Sequence, residues 1–200
     1  MLATDRIAPD ALAREDADTD RLVIRLQAGE EEPFKALYER YFDRVYAYLR
    51  IALRDLEEAE KATQEVFMRV LETLPEYAPS SGPFRAWLFR VARDTGIGRL
   101  PQAGRPVIEG PAHPSENGEG EGARPTTIER VGDGELVALI ERLPHDQQQV
   151  ILLRYLFGLG GMEGGGALGR GPDAVDDLHR HALRTLRARL EPVEGELATA

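Results

Sequence analysis

The chain has 200 residues, a hydrophobic fraction of 42% with only 6% aromatic, no cysteine and a formal net charge of −10. That length allows one domain or two small ones, and the missing cysteine excludes a disulfide framework and a thiolate metal site. The acidic balance argues against an autonomous DNA-binding module, whose affinity comes mostly from neutralising phosphates; such a chain reaches nucleic acid only if something larger carries it there.

Residues 1–18 carry Asp5, Asp10, Glu15, Asp16 and Asp18 against few bases and read as an acidic flexible arm. A helical apolar stripe starts near Asp20 with Leu22, Val23 and Leu26 and stops at Gly29. Pro33 opens a second helix at its first turn, where a missing N–H costs nothing. Its stripe is Phe34, Leu37, Tyr38, Tyr41, Val45, Tyr48 and Leu49. A third helix, about Leu56 to Leu74, is rich in good helix formers, with Phe67, Val70, Leu71 and Leu74 marking a buried end. Pro75, Pro79 and the Ser80–Pro83 cluster then break the chain.

The next segment, Phe84–Asp94 (FRAWLFRVARD), is the most informative. On a helix, Phe84, Trp87, Leu88 and Val91 share one side, whereas Arg85, Arg90 and Arg93 share the other with Phe89 among them. An aromatic ring among arginines on a solvated face suits unpaired bases, because guanidinium groups neutralise phosphates and the ring offers a stacking surface. The competing reading is that Phe89 packs under a neighbouring segment. After Asp94 the segment Thr95–Leu100, interrupted by Gly96 and Gly98, reads as an early end to this helix.

Residues 101–134 are dominated by Gly, Pro, Glu and Ser and read as a flexible linker. Order returns at Glu135, with Leu136, Val137, Leu139, Ile140 and Leu143 before Pro144. Asp146 is the expected N-cap of a following helix that carries Val150, Ile151, Leu153, Leu156 and Phe157. The glycine-rich segment 158–169 has three readings. Gly164–Gly169 formally matches G-x-G-x-x-G, but no strand or βαβ context surrounds it. A flexible loop is the simplest reading. The third is the first helix of a helix-turn-helix, held in place by its neighbours against glycine's cost of roughly 0.8–1 kcal/mol per residue. The last helix starts at Pro172, with Asp173, Asp176 and Asp177 in its first turns and Arg180, Arg184 and Arg187 on one solvated face.

No stretch alternates with period two, so the fold class is all-α: two small helical domains joined by a flexible linker. The expected division is an acidic arm 1–18, a four-helix domain 19–100, a linker 101–134, a helix-turn-helix domain 135–191 and a tail 192–200. No catalytic constellation, metal-ligand spacing or cofactor motif emerges, so a non-enzymatic protein is expected. There is no apolar run of eighteen residues and no apolar signal core, so no membrane insertion is expected and the default compartment is the cytoplasm.

Five segments, in order, resemble the small two-domain bacterial RNA polymerase sigma factors of the extracytoplasmic-function (ECF) type. Phe34–Leu49 resembles the opening helix of their second conserved region. Ala59–Phe67 (AEKATQEVF) is similar to the family's A-E-D-L-T-Q-E-V-F, and Phe84–Asp94 to F-R-A-W-L-F-R-I-A-R-N. Leu143–Tyr155 resembles L-P-x-x-x-R-x-V-x-x-L-R-Y, and Leu168–Val175 the turn and start of a recognition helix. The resemblance implies a sigma region 2 bundle and a sigma region 4 helix-turn-helix. It implies a factor that binds core RNA polymerase and directs promoter recognition and DNA melting. Glu60, Thr63, Gln64, Glu65 and Phe67 would meet the beta-prime clamp helices, and Arg85, Phe89, Arg90 and Arg93 the promoter −10 element. The helix carrying Asp173, Asp176, Asp177, Arg180 and Arg184 would meet the −35 element. Core polymerase, promoter DNA and an anti-sigma factor are the implied partners.

Lys61 and Ala62 depart from the family's acid and leucine. More consequentially, glycines at 160–166 replace a sequence like S-Y-E-E-I-A-E-L-L, and Asp176 and Asp177 stand where basic residues and serine are usual. These departures support an alternative: a sigma-derived adaptor or decoy that binds polymerase or a regulator but has lost −35 reading.

Overall fold

The structure, a computed structural model, describes residues 9–99 and 133–197, with side chains over 11–99 and 134–190. The first stretch contains α1 (Pro9–Gln27), α2 (Pro33–Leu53), α3 (Leu56–Thr73) and α4 (Phe84–Arg99). The second contains α5 (Asp133–Glu141), α6 (His145–Leu156), α7 (Gly161–Leu168) and α8 (Pro172–Leu197). The fold class is all-α, as the periodicities imply.

Local chemistry sets the helix ends. Pro33 occupies the first position of α2, and Arg54, in the left-handed region at φ 56°, terminates that helix. The Asp55 carboxylate accepts from the Glu58 N–H at 3.0 Å and caps α3, whose first turn carries Glu57 and Glu58. Between α3 and α4, Leu74–Glu76 and Pro79–Ser81 form short 3-10 turns. Gln27 donates to the carbonyls of Leu74 and Tyr77, which pins the end of α1 to that connection.

α2 is the central helix of the first bundle. Leu37, Tyr41, Val45, Tyr48 and Leu49 are buried along it, against Ala59, Val66 and Val70 of α3 and Phe84, Leu88 and Ala92 of α4. Leu71 departs from the sequence expectation: it is 42% exposed on the outer side of α3, beside the exposed Met68. The second set closes over Val150, Leu153, Phe157, Ala167, Val175, Ala182 and Leu186.

Several boundaries differ from those the sequence suggests. Residues 9–18 of the expected acidic arm are helical, as the first half of α1. The reason is tertiary: Glu15 pairs with Arg44 at 2.7 Å, and the Thr19 and Tyr41 hydroxyls lie 3.1 Å apart in the buried contact between α1 and α2. α4 does not stop at Thr95; it continues through both glycines to Arg99, whose guanidinium holds Glu58 at 2.7 Å and Glu65 at 2.8 Å on α3. Asp146 is not the cap of α6. Pro144 takes that position, and Asp146 lies in the first turn, paired with Arg170 at 2.6 Å. α8 continues to Leu197, into the expected tail, and α5 begins at Asp133, inside the expected linker. The rest of that linker, and residues 1–8 of the arm, lie outside the described residues.

Segment 161–168 is a helix rather than a loop, ended by Gly169 in the left-handed region at φ 68°. Its burial explains how it survives four glycines. A Cβ at Gly165 would stand 2.7 Å from the Arg170 carbonyl oxygen, and one at Gly164 would stand 2.8 Å from Leu153 Cδ2. α7 therefore lies closer to α6 and to the turn before α8 than a helix with side chains at those positions could. The dinucleotide reading ends here: Gly164–Gly169 lies within and at the end of a helix, and no strand occurs among the described residues.

Candidate nucleic-acid interface

The arginine face of α4 is only partly solvated. Arg85 is among the most buried side chains, and Phe89 is fully buried. Arg90 and Arg93 are half-buried. This corrects the expectation of an open basic arc and upholds the competing reading for Phe89. The cover is the α6–α7 corner. Phe89 packs edge-on to Tyr48, at a centroid distance of 5.3 Å, and edge-on to Phe157, at 5.2 Å. Periodicity within α4 could not reveal this, because Phe157 is brought in from a distant part of the chain.

Every nitrogen of the Arg85 guanidinium is occupied. Nε donates to Asp16 of α1 at 2.9 Å, Nη1 to the carbonyls of Phe157 at 3.2 Å and Gly158 at 2.9 Å, and Nη2 to both oxygens of Glu163 of α7 at 2.9 and 2.8 Å. Burial opposes the charged form, but the two carboxylates outweigh it and the pKa is raised. Arg93 donates through Nη1 to the Ala167 carbonyl at 2.6 Å and through Nη2 to Asp94. Nearby, the Tyr48 hydroxyl donates to Gln149 Oε1 at 2.8 Å, and burial pushes that phenol's pKa up. Gly158, at φ 64°, turns the chain so that these carbonyls face Arg85. Asp16, Gln149, Phe157 and Glu163 are therefore part of this site, and no local sequence signal marks them.

On α3, the expected polymerase-contacting residues divide. Glu60 and Gln64 are exposed on one face that also presents Leu56 and Met68. Thr63 is buried, its hydroxyl donating to the Ala59 carbonyl, and Phe67 is buried against Tyr38, with ring centroids 4.7 Å apart. Glu65 is half-buried between Arg99 and Arg69, and its hydrogen bond from Arg99 is the chief cause of its lowered pKa. Thr63 and Phe67 therefore support the α3 surface from inside, and Glu60 and Gln64 present it.

On α8, Asp173, Arg180, Arg184 and Arg187 are exposed. Asp176 is held by Arg154 of α6 at 2.8 Å, and Asp177 by Arg180 one turn along. The two unexpected acids are thus neutralised within the protein. α7, the turn at Gly169–Gly171 and α8 have the helix-turn-helix arrangement. No helix among the described residues is long and apolar enough to cross a membrane.

Comparison with known proteins agrees with this architecture. The family model for sigma-70 region 2 matches residues 37–105. The chain is 31% identical over 181 residues to the ECF RNA polymerase sigma factor BldN of Streptomyces coelicolor, a match covering 88% of this chain and 68% of that one. It is 27% identical over 172 residues to the ECF RNA polymerase sigma factor SigX of Bacillus subtilis, covering 84% and 88% of the two chains. Among solved structures, CnrH in complex with the cytosolic domain of CnrY has the same fold, with a TM-score of 0.63 at 21% identity over 86% of this chain and 96% of that one. RpoE in complex with the anti-sigma factor NepR from Bartonella quintana does too, with a TM-score of 0.61 at 17% identity over 79% and 96% of the chains. With its region 2 bundle, its helix-turn-helix and its sequence identity along most of its length, the chain belongs to the ECF RNA polymerase sigma factors.

Proposed function

We propose that this protein is the promoter-specificity subunit of a bacterial RNA polymerase, without catalytic chemistry of its own, working in the cytoplasm where that polymerase acts. The observation that carries this reading is the relation to BldN along 88% of the chain, which takes in both helical sets. In this reading the region 2 unit spans 19–100 and the region 4 unit 135–191. α3 meets the clamp helices of core polymerase through Glu60 and Gln64, positioned by Thr63, Glu65 and Phe67. α4 opens the −10 element with Arg85, Phe89, Arg90 and Arg93, and α8 meets the −35 element with Asp173, Arg180 and Arg184. Asp176 and Asp177 act there by orienting Arg154 and Arg180. The net charge of −10 fits a factor that polymerase delivers to DNA. An anti-sigma protein is the expected regulator, since the solved relative RpoE is held by one. The adaptor or decoy alternative loses its main support, because α7 is formed and the acids of α8 are paired.

The test is reconstituted transcription. The protein is added to core polymerase with a library of promoter fragments, and the transcripts are sequenced. Initiation from a shared motif is the expected result; stable polymerase binding without initiation overturns it. Glu60→Arg with Gln64→Ala, both at exposed positions, should weaken polymerase binding by roughly tenfold or more while leaving the fold intact.

A further inference from the structure

The partners of Arg85 and Phe89 are of a particular kind. Arg85 meets two carboxylates and two carbonyls, all of them acceptors, and has no donor left over. Phe89 meets an aromatic ring of the second helical set. These are the kinds of group that single-stranded DNA would bring to the same side chains: anionic oxygens for the guanidinium and an aromatic ring for the phenyl group, met here edge-on at 74° where a base would stack. The anions come from both sides of α4, Asp16 from α1 and Glu163 from α7.

We propose that the protein carries its own imitation of the DNA strand. The Asp16 and Glu163 carboxylates stand in for phosphates at Arg85 and Phe157 stands in for an unpaired base at Phe89; Glu163 and Phe157, which come from the second set, keep the free factor closed until the two helical sets part. The inference rests on the strand-opening role assigned to α4. A buried ion pair is a weak source of net stability but a strict one, because removing one partner leaves the other charge uncompensated. The closed state therefore depends on Glu163, the carboxylate that crosses between the sets, while Asp16 neutralises Arg85 from within its own set; DNA phosphate replaces Glu163 like for like.

The chain holds no cysteine, so dyes placed at Ser80→Cys and Ala174→Cys, both exposed and on opposite sets, report domain separation by energy transfer. Asp16→Asn with Glu163→Gln should lower that transfer. It should also raise the affinity of the free protein for a random single-stranded oligonucleotide by roughly tenfold or more. Glu31→Gln with Glu76→Gln removes the same two charges at exposed positions elsewhere and should do neither. Adding Arg85→Ala to the opened variant should abolish the gained affinity. Circular dichroism checks that each variant folds, and Glu163→Gln alone, at a half-exposed residue, serves if the double variant does not. Unchanged transfer overturns the cover whatever the DNA result. Lowered transfer with unchanged affinity overturns instead the strand-binding role of α4, and the imitation with it, while reconstituted transcription still judges the factor as a whole.

Discussion

His179 sits on α8 with its ring centroid 5.9 Å from that of Tyr155 and its Nε2 enclosed without a hydrogen-bond partner. Burial first, and then the Arg154 guanidinium, lower its pKa from 6.5 to about 4. Between those values the unfolded chain holds a proton that the folded chain does not, so stability falls as the pH drops through the window and is unaffected by this group above it. His145, also lowered chiefly by burial, acts with the same sign. Urea titrations between pH 6.5 and about 4 should therefore show falling stability, and His179→Phe should flatten the dependence. An unchanged slope in the variant would show that His179 is not the group responsible. The residue scale is also where the sequence was least informative about the site. The apolar stripe marks Phe67 as buried, but nothing in residue type separates Thr63, which is buried, from the polar Glu60 and Gln64, which face solvent, beyond the turn of the helix.

The elements were legible where an apolar stripe and a strong end signal coincide. Pro33 and the stripe from Leu37 to Leu49 suffice to place α2, because both the period and the cap are local properties. They failed where partners from elsewhere stabilise a helix: the first half of α1 by Arg44 and Tyr41, and the last turn of α4 by salt bridges from Arg99 to α3. α7 is the extreme case, since propensity counts all its glycines alike. The structure separates them. Gly165 lies against the Arg170 carbonyl, whereas a Cβ at Gly166 would meet nothing within 4 Å. Gly165→Ala should destabilise the protein by about 1–3 kcal/mol through overpacking. Gly166→Ala should stabilise it by up to about 1 kcal/mol through helix propensity. Urea denaturation of the two variants reads opposite signs for adjacent residues if α7 is packed in this way.

At the scale of the whole molecule, the two helical sets share one aromatic junction, in which Phe157 stands edge-on to both Tyr48 and Phe89. The buried Tyr48–Gln149 hydrogen bond and the Arg54 bond to the Glu141 carbonyl cross the same boundary. Such coupling should make the wild-type protein unfold in a single calorimetric transition. Phe157→Ala removes the central ring at a cost of about 3–5 kcal/mol and should split that transition in two. A single sharp transition in the variant would show that the sets are coupled elsewhere. By itself the sequence determined the all-α class, the two helical sets and the family, because these rest on local periodicity and ordered motifs. Only the tertiary structure decided whether the arginine face of α4 is open or covered. Its covering groups, Asp16, Phe157 and Glu163, are remote in the chain, and a buried charge is recognised only by what surrounds it.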